Sequence, residues 1–450
     1  MLQEMMLIER ISYMKLQGTM KINGAGHLEI GGCDTTELRK TYGTPLVVVD
    51  EGYLQNICRE YYQAFSKREE GMVIYASKAF LTPALLEVIE KEGLGLDTVS
   101  GGELYMAYTS GFPMDKVFFH GNNKSREEIE MAIEYGVGRI VLDNEDEISH
   151  VEEIAREKGV KPSVLLRITP GIDAHTHDFI KTGHIDSKFG FTLATGEALE
   201  GVRRVVESPS LEYKGLHCHI GSQIFGTDSF RHTVAVMVAF LGIIRAELEV
   251  EGEDLDIGGG RGIYYTEGDD PTSIEEYSQA VFSVLREETE KAGLSLPRII
   301  IEPGRSIIGP CGTNLYTVGT MKDIPGIRKY VAVDGGMSDN IRPALYGARY
   351  ELGIASRMLA DGPAEVVTIA GKLCESGDIL ARDVSLPALQ EGDLLAMIST
   401  GAYGYSMASN YNMTGKPAVV FVRDGNSDLV IRRQSYKDLM AGHIVPERLK

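Results

Sequence analysis

Residues 116–144 have the sequence KVFFHGNNKSREEIEMAIEYGVGRIVLDN, in which two apolar runs flank one amphipathic segment. The two runs predict strands at Lys116–His120 and Arg139–Asp143. Between them, Ser125–Glu128 has the spacing of a helix capping box, and Gly136 can end the helix that follows. A strand, a helix and another strand in this order predict neighbouring parallel strands.

The same alternation of strands and helices continues from about residue 72 to residue 305. Eight short runs that are rich in apolar residues predict strands, namely Met72–Lys78, Gly95–Ser100, Lys116–His120, Arg139–Asp143, Val164–Thr169, Tyr213–Ile220, Leu255–Gly258 and Arg298–Glu302. Eight such units over roughly 235 residues predict an α/β fold, a closed (β/α)8 TIM barrel. An open, doubly wound parallel sheet is the main alternative.

The alternation of strands and helices ends after residue 310, where apolar runs follow one another without long helical segments. These runs predict a second, mainly antiparallel β-barrel domain with strands at Lys329–Val333, Glu365–Ala370, Leu394–Ser399, Ala418–Arg423 and Leu429–Arg432. The early run Leu46–Asp50 is also predicted as a strand, and it can pair with this domain. We therefore predict an extension at 1–20, a discontinuous β domain at 21–52 and 310–450, and the barrel at 53–309.

Composition narrows the classes of partner. The formal net charge of −20 disfavours nucleic acid or an anionic membrane as the main partner, because both require a basic surface. No apolar run approaches the ~20 residues needed to cross a bilayer, and the N-terminus lacks the pattern of a secretory signal. An odd number of irregularly spaced cysteines favours a reducing cytoplasm over a disulfide framework or a zinc knuckle: Cys33, Cys58, Cys218, Cys311 and Cys374.

In a barrel of this kind, functional residues lie where the strands end. The predicted strand ends carry Lys78, Asp97, His120, Asp143, Arg167, His219, the run Gly258–Gly260, Glu302 and Arg305. A lysine that follows an apolar strand can lose solvation and become a reactive amine, so Lys78 is a candidate nucleophile. A surface lysine just past a strand is the plainer alternative.

Two strand ends have residues suited to an anionic, aromatic ligand. The run Gly258–Gly260 lets backbone N–H groups approach a phosphate closely, although a tight turn explains it equally well. It is not a P-loop, since no Lys-Ser/Thr follows, and it lacks the GxGxxG spacing. A buried Glu302 could keep a heterocyclic nitrogen protonated, and Arg305 could bind phosphate or carboxylate; an internal ion pair is the alternative.

The histidines leave a metal site open as an alternative. His217 and His219 share one side of a strand, as in metal-dependent barrel hydrolases. Those enzymes typically have this pair at the first strand and an aspartate at the eighth, so a ring stacked on a cofactor is the better interpretation of His219. The pair at His175 and His177 lies in a predicted loop and is a weak metal candidate.

The C-terminal half contributes further candidates. Cys374 lies in a polar run, where a reactive thiol and a merely buried one are about equally expected. Arg342 and Tyr346 are four residues apart, so they share a face on a helical turn, as binding residues or as a solvated pair.

These motifs resemble the alanine-racemase-like (fold-type III) decarboxylases that use pyridoxal 5'-phosphate. The resemblance covers about residues 25 to 425 in the same order. Within the family, the chain is similar to the branch that acts on meso-2,6-diaminopimelate. Arg261 departs from the apolar residue expected there. The motifs that carry the resemblance are YASKA (75–79), HGNNK (120–124), the loop 175–183, HCHIGSQ (217–223), DIGGG (256–260), EPGR (302–305), DNIRPALY (339–346) and CESGD (374–378).

The resemblance implies a role for each matching residue. Lys78 would hold the cofactor covalently, and Lys78 and Cys374 would be catalytic. The cofactor would contact Lys78, Asp97, His219, Ser222, Gly258, Gly259, Gly260, Glu302, Gly304, Arg305 and Tyr403. The substrate would be bound by Arg305, Arg342, Tyr346, Glu375 and Tyr403. No metal is implied.

The resemblance also implies an activity and an assembly. The expected reaction is decarboxylation of meso-2,6-diaminopimelate to L-lysine and CO2 by a cytoplasmic homodimer, in which Cys374 enters the partner's active site. A related decarboxylase acting on another basic or carrier-linked amino acid is the alternative within the family. Outside it, a barrel that carries the cofactor without catalysis and a metal-dependent hydrolase remain as alternatives.

Overall fold

The computed structural model describes residues 14–171, 187–360 and 363–450. The chain forms two compact units. The β unit contains the chain up to Leu54, the short segment Tyr265–Gly268 and the stretch Ile308–Lys450; the barrel unit contains Gln55–Tyr264 and Asp269–Ile307. The predicted division placed residues 265–268 with the barrel, whereas their contacts place them in the β unit.

The strands are numbered in chain order. They are β1 (Lys21–Ile22), β2 (Leu28–Ile30), β3 (Cys33–Asp34), β4 (Leu46–Asp50), β5 (Gly71–Ala76), β6 (Gly95–Thr98), β7 (Val117–Phe119), β8 (Arg139–Leu142), β9 (Ser163–Thr169), β10 (Phe191–Thr192), β11 (Glu212–His217), β12 (Asp254–Asp256), β13 (Arg298–Ile301), β14 (Gly312–Ile324), β15 (Arg328–Val333), β16 (Leu352–Ile354), β17 (Ala364–Ala370), β18 (Ile379–Pro387), β19 (Leu394–Met397), β20 (Ala418–Arg423) and β21 (Asn426–Ile431).

The α-helices are numbered in the same way. They are α1 (Thr35–Tyr42), α2 (Glu51–Tyr61), α3 (Pro83–Lys91), α4 (Gly101–Thr109), α5 (Arg126–Tyr135), α6 (Glu145–Lys158), α7 (Glu197–Glu207), α8 (Asp228–Leu248), α9 (Ile274–Ala292), α10 (Arg305–Ile308), α11 (Arg342–Tyr346) and α12 (Tyr436–Met440). Short 3-10 turns, including Ser77–Ala79, lie between them.

The barrel unit is a closed ring of parallel strands. Its pairing order is β9-β11-β12-β13-β5-β6-β7-β8, and an additional pairing of β8 with β9 closes the ring. The two-residue strand β10 pairs in parallel with the carboxyl end of β9. The predicted barrel is therefore confirmed, and the open doubly wound sheet is excluded. The predicted cap of α5 is also confirmed, since Ser125 and Glu128 form a capping box and Gly136 ends the helix in the left-handed conformation.

Several predicted strands were too long at their carboxyl ends. The first ends at Ala76 rather than Lys78, the sixth at His217 rather than Ile220, and the seventh at Asp256 rather than Gly258. In each case the last predicted residues leave the strand and form the loop at the carboxyl end of the barrel, where functional residues are held.

The barrel unit also contains the most apolar long helix. By length and composition alone, α8 could cross a membrane, although a helix in the core of a water-soluble protein passes the same test. In the structure, 44% of its most apolar stretch is buried within the protein. Arg231 and Arg245 lie near the two ends of this helix, so the uninterrupted apolar run between them is shorter than the helix itself.

The β unit is built on a mixed sheet in which most pairings are antiparallel. Its order is β18-β17-β15-β14-β4-β20-β21, with parallel pairing of β15 with β17 and of β4 with β20. Strand β4 lies between β14 and β20, which confirms that this early run pairs with the C-terminal strands. Met14 and Met20 are buried in its core, so residues 14–20 belong to this unit rather than to a loose extension.

Candidate active site

Side chains inside the barrel form an apolar layer and, toward the carboxyl ends of the strands, a polar one. Side chains alternate along a strand, so residues two positions beyond an interior apolar residue point to the same interior. The apolar layer consists of Ile74, Phe118, Val141, Leu165 and Ile300. The polar side chains, called here the strand-end layer, are Asp97, His120, Asp143, Arg167, His217, Asp256 and Glu302.

Glu302 is at the centre of the strand-end layer. Its Oε1 lies 2.9 Å from Nε2 of His120 and 3.4 Å from Nε2 of His217. His120 also lies 3.7 Å from Oδ1 of Asp97. All four side chains are buried, so their charges interact in a medium that screens them much less than water does.

Burial and the two imidazoles set the protonation of this group. Burial by itself would raise the pKa of Glu302, but His120 and His217 lower that pKa well below its usual value. Burial lowers the pKa of His217 to about 4, so its imidazole is neutral at pH 7. Burial raises the pKa of Asp97, which His120 partly opposes. Within this group, Glu302 is therefore the carboxylate whose ionised form is most strongly favoured.

Asp256 is a second buried carboxyl group close to Glu302. Its Oδ1 accepts a hydrogen bond of 2.8 Å from the backbone N–H of Gly258. Burial, and then the charge of Glu302, raise the pKa of Asp256 well above its usual value, which favours its neutral form. Asp256 was not among the predicted site residues, although its position two residues before the glycine run was a usable signal.

The glycine run forms a turn that leaves no room for side chains. A Cβ atom would lie 2.7 Å from the carbonyl oxygen of Cys218 at Gly258, 2.2 Å from that of Glu302 at Gly259, and 2.6 Å from that of Gly221 at Gly260. Gly258 and Gly260 also have φ values of +69° and +123°, which glycine adopts most readily.

His219 is fixed by the same turn. The backbone N–H of Gly259 donates to its Nδ1 at 3.2 Å, which places the ring proton of the neutral form on Nε2. Burial, and then the charge of Lys78, lower the pKa of His219 well below its usual value. The ring is thus a neutral, half-buried imidazole, which suits a stacking role.

Ser222 and Arg305 lie together beside the turn, since Nε of Arg305 donates to Oγ of Ser222 at 3.0 Å. The neighbouring Gln223 exchanges two hydrogen bonds with the backbone of Ile263, at 2.7 and 3.2 Å, which ties the two loops together. Arg261, the departure from the family pattern, donates from Nε to the carbonyl of Thr272 at 2.7 Å.

Lys78 lies on the 3-10 turn Ser77–Ala79, directly after β5, and its side chain is exposed. The protein alone therefore does not desolvate this amine as the sequence pattern suggested. Its charge nevertheless acts on the strand-end layer through Asp97, whose pKa it lowers, and also lowers the pKa of His219 beside the glycine turn. Gly304 packs close to the preceding strand, where a Cβ would lie 2.9 Å from Cβ of Ala76.

The β unit brings together a second group of predicted residues. Arg342 begins the short helix α11 and Tyr346 ends it, so the two residues do lie on a helical turn. The buried guanidinium of Arg342 lies 5.9 Å from the ring centre of Tyr403. Its Nη1 donates to the hydroxyls of Tyr265 and Tyr350, at 3.0 and 2.6 Å, and neither tyrosine was among the predicted site residues.

The loop that carries Cys374 and Glu375 is also in the β unit, and both side chains are exposed. Asp378 anchors this loop. Its Oδ1 accepts from the backbone N–H of Met337 at 2.6 Å, and its Oδ2 accepts from that of Leu373 at 2.8 Å.

The histidine pairs that were considered as metal ligands can be compared with the structure only in part. His175 and His177, with the rest of loop 175–183, lie outside the described residues. Within the described ranges, His120, His217 and Glu302 have donor atoms within 4.8 Å of one another, a spacing that a metal ion could also use. Of the predicted pair, His217 belongs to this group and His219 does not.

A closed barrel with a lysine, a glycine turn and a buried carboxylate at its strand ends defines a class of barrel enzymes that can hold a pyridine-ring cofactor. Residues 52–309 match the family described as "Pyridoxal-dependent decarboxylase, pyridoxal binding domain".

Similar proteins of known name support a narrower placement. The chain is 50% identical over 428 residues to diaminopimelate decarboxylase of Bacillus subtilis (strain 168), covering 95% of this chain and 97% of that protein. It is 44% identical to the protein of the same name from Staphylococcus aureus (strain COL), covering 94% and 99%.

A solved structure is also similar. The crystal structure of diaminopimelate decarboxylase from M. jannaschii in co-complex with L-lysine superposes with a TM-score of 0.90 at 36% identity, covering 96% of this chain and 99% of that one. This chain belongs to the pyridoxal-dependent decarboxylases and, within them, to the diaminopimelate decarboxylase family.

The strand-end layer fits pyridoxal 5'-phosphate. Oε1 of Glu302 is fully enclosed and has no well-aligned hydrogen-bond donor among the described residues, despite the short distance to His120. A buried carboxylate oxygen of this kind suits the protonated nitrogen of a pyridine ring. The crowded glycine turn, beside Ser222 and Arg305, suits the close approach of a phosphate.

Proposed function

We propose that this protein catalyses the decarboxylation of meso-2,6-diaminopimelate to L-lysine and CO2 with pyridoxal 5'-phosphate as cofactor. The observation that carries the proposal is the pairing of β13 with β5, which places Glu302 and Lys78 just after neighbouring parallel strands. An amine and a buried carboxylate that follow adjacent strands can hold the two ends of one aromatic aldehyde.

The predicted site residues of the barrel unit then have separate roles. Lys78 would hold the aldehyde carbon of the cofactor through its amine. Glu302, whose ionised form is favoured, would hold a proton at the ring nitrogen, and His219 would lie against the ring. The bound cofactor supplies a conjugated, electron-withdrawing system that accepts the electrons left when CO2 departs.

Around the phosphate we place Ser222, the glycine turn and Gly304. Their small size and the backbone N–H groups of the turn favour close contact with an anion. Asp97 lies near Lys78 and completes the cofactor-binding set of the barrel. In the β unit, Tyr403 is proposed to contact the cofactor and the substrate.

The end of the substrate that does not react is assigned to Arg305, Arg342, Tyr346, Glu375 and Tyr403. Guanidinium groups bind carboxylates with two parallel hydrogen bonds, which fixes orientation as well as position. Correct orientation of a bound reactant can contribute roughly 7–11 kcal/mol to catalysis. The L-lysine of the related M. jannaschii co-complex is a molecule with such an end.

We further propose a cytoplasmic homodimer in which Cys374 of one protomer serves the active site of the other. The exposed thiol on a loop anchored by Asp378 supports this, because it is available to a second chain. Either Cys374 or Lys78 returns the proton to the reacting carbon. Neither nucleic acid nor a membrane is proposed as a partner.

Substrate competition tests the proposal. Purified protein supplied with pyridoxal 5'-phosphate should release lysine from diaminopimelate and should turn over ornithine far more slowly. Turnover of ornithine alone would favour a related decarboxylase acting on another basic amino acid. Stoichiometric zinc without bound pyridoxal 5'-phosphate would favour the metal-dependent hydrolase.

Lys78→Ala tests the covalent role. The variant should lose the visible absorbance of the bound cofactor and all measurable turnover, whereas Lys116→Ala, at another exposed lysine of the barrel unit, should retain both. In the unaltered protein, borohydride reduction should leave the adduct on the peptide that contains Lys78. Retained turnover in Lys78→Ala would overturn the assignment.

A further inference from the structure

Arg342 is a buried cation whose immediate partners are neutral. It is 7% exposed, and its closest electrostatic partners are the hydroxyls of Tyr265 and Tyr350. Among the residues that the structure describes, no carboxylate forms an ion pair with it. Because a buried charge without a counterion is costly, such a guanidinium marks a place that an anion completes.

The two tyrosines contact one nitrogen of the guanidinium, and one edge of the group remains available to a ligand. Nη1 donates to the hydroxyl of Tyr265 at 3.0 Å and to that of Tyr350 at 2.6 Å. A guanidinium has five N–H donors, of which Nη1 carries two. The remaining donors are on Nε and Nη2, and this is an edge that can bind both oxygens of one carboxylate.

The aromatic rings also restrict how the guanidinium can turn. Its Cζ lies 5.3 Å from the ring centre of Tyr265 and 5.8 Å from that of Tyr350. The two rings meet edge to face, with centres 5.3 Å apart and planes at 83°. Both tyrosines are buried, at 8% and 4% exposure, so the hydroxyls that contact Arg342 are held in place by packing.

We propose that Tyr265 and Tyr350 are positioning residues that orient Arg342, so that its Nε and Nη2 edge binds the carboxylate at the non-reacting end of the substrate. By fixing that edge they set the preference for amino acids that carry this carboxylate over amines that lack it. The inference rests on the proposed function, since it takes Arg342 as a substrate-binding residue. Neither tyrosine transfers a proton or touches the reacting carbon.

The test compares two ligands that differ only in the carboxylate. L-Lysine retains it and cadaverine lacks it, so each is measured as a competitive inhibitor of the holoenzyme. In Tyr265→Phe and Tyr350→Phe, the inhibition constant of lysine should rise about 5- to 20-fold, because a less well-oriented charged hydrogen bond is weaker. The constant of cadaverine should stay within about 2-fold in both variants. KM for diaminopimelate should rise in parallel, with kcat nearly unchanged.

A matched control and a benchmark separate the possible outcomes. Tyr42→Phe removes a hydroxyl that donates to the carbonyl of Ser427 at 3.0 Å elsewhere in the β unit, and it should change neither constant. Arg342→Gln should abolish the preference for lysine altogether.

If Arg342→Gln loses the preference while both tyrosine variants keep it, the positioning role is wrong and the proposed function stands. If Arg342→Gln keeps the preference, the assignment of Arg342 itself fails. An equal loss of lysine and cadaverine binding in the tyrosine variants would indicate general damage and would also overturn the positioning role.

Discussion

Nε2 of His120 lies 2.9 Å from Oε1 of Glu302, inside a barrel that excludes solvent from both side chains. The distance is short, but the imidazole N–H is not well aligned with the oxygen. His120 and His217 lower the pKa of Glu302 well below its usual value, so Glu302 keeps its negative charge, and its Oε1 remains an acceptor that a ligand can use. This property of Glu302 is the basis of its expected role in catalysis.

Glu302→Gln should lower kcat at least about 100-fold, as loss of a preorganised electrostatic group does in other enzymes. The amide has nearly the same size but no charge, so it cannot hold a proton at the ring nitrogen. Lysine release measures the rate, and absorbance of the bound cofactor shows that the site is still filled. The control is Glu212→Gln. Glu212 begins β11 at the end of the barrel away from the site, so this variant should behave as the unaltered enzyme. A Glu302→Gln variant within about 3-fold of normal would contradict the assigned role.

Gly259→Ala should weaken cofactor binding about 10-fold or more, because a Cβ there would lie only 2.2 Å from the carbonyl oxygen of Glu302 and the turn must shift. Equilibrium titration with pyridoxal 5'-phosphate measures the effect. Gly102→Ala is the control, since its Cβ would meet nothing closer than 3.8 Å and the position is helical. If both alanines bind the cofactor normally, the glycine turn is not the phosphate site.

Lys124→Met should destabilise the barrel unit by about 3 kcal/mol or more, as breaking a buried ion pair does. Its ammonium donates to Oε2 of Glu147 at 2.8 Å and to the carbonyl of Val141 at 2.6 Å, and both side chains of the pair are almost fully buried. Urea unfolding followed by far-UV circular dichroism measures the loss. Lys158→Met removes an exposed partner of Glu134 and should leave stability almost unchanged. Equal effects in the two variants would contradict the prediction.

Asp339→Asn should alter the pH dependence of stability of the β unit. Burial raises the pKa of Asp339 from 3.8 to about 7, although a hydrogen bond from Tyr316 opposes the rise. A carboxyl group with a raised pKa stabilises the fold below its unfolded pKa, and this contribution is lost as pH rises through the folded value. Each pH unit in this interval corresponds to about 1.4 kcal/mol, so the total is on the order of 4 kcal/mol.

Unfolding free energies measured from pH 4 to pH 8 test this prediction. The stability advantage of the unaltered protein over Asp339→Asn should be largest near pH 4 and should shrink toward pH 7. Tyr316→Phe removes a donor that lowers the pKa of Asp339, so the loss should shift to higher pH in that variant. If this stability advantage instead grows as the pH rises, the predicted direction of the pH dependence is wrong.

Local pattern was enough to predict the barrel. The run Val117–Phe119, the cap at Ser125 and the stop at Gly136 each depend on nearest neighbours in the chain, and all three occur in the structure. The carboxyl ends of the strands were predicted less accurately, because the residues that follow β5 and β11 leave the sheet and form the site loops.

The β unit was harder to predict from sequence. The 13-residue strand β14, Gly312–Ile324, was not predicted, because glycine, threonine, asparagine and lysine interrupt its apolar residues. It is nevertheless a long strand, since it pairs with β4, β15 and β19 along its length. Pairing with distant strands overrode its weak intrinsic preference.

The sequence by itself determined the alternation of strands and helices, the strand-end positions of Lys78 and Glu302, and the family motifs, because each is written in residues close together in the chain. Only the tertiary structure decided that Asp256 is buried near Glu302, and that Tyr265 and Tyr350 share Nη1 of Arg342, across 77 and 8 positions of sequence. The physical reason is that burial and long-range contacts set protonation and orientation, and neither is a property of a local segment.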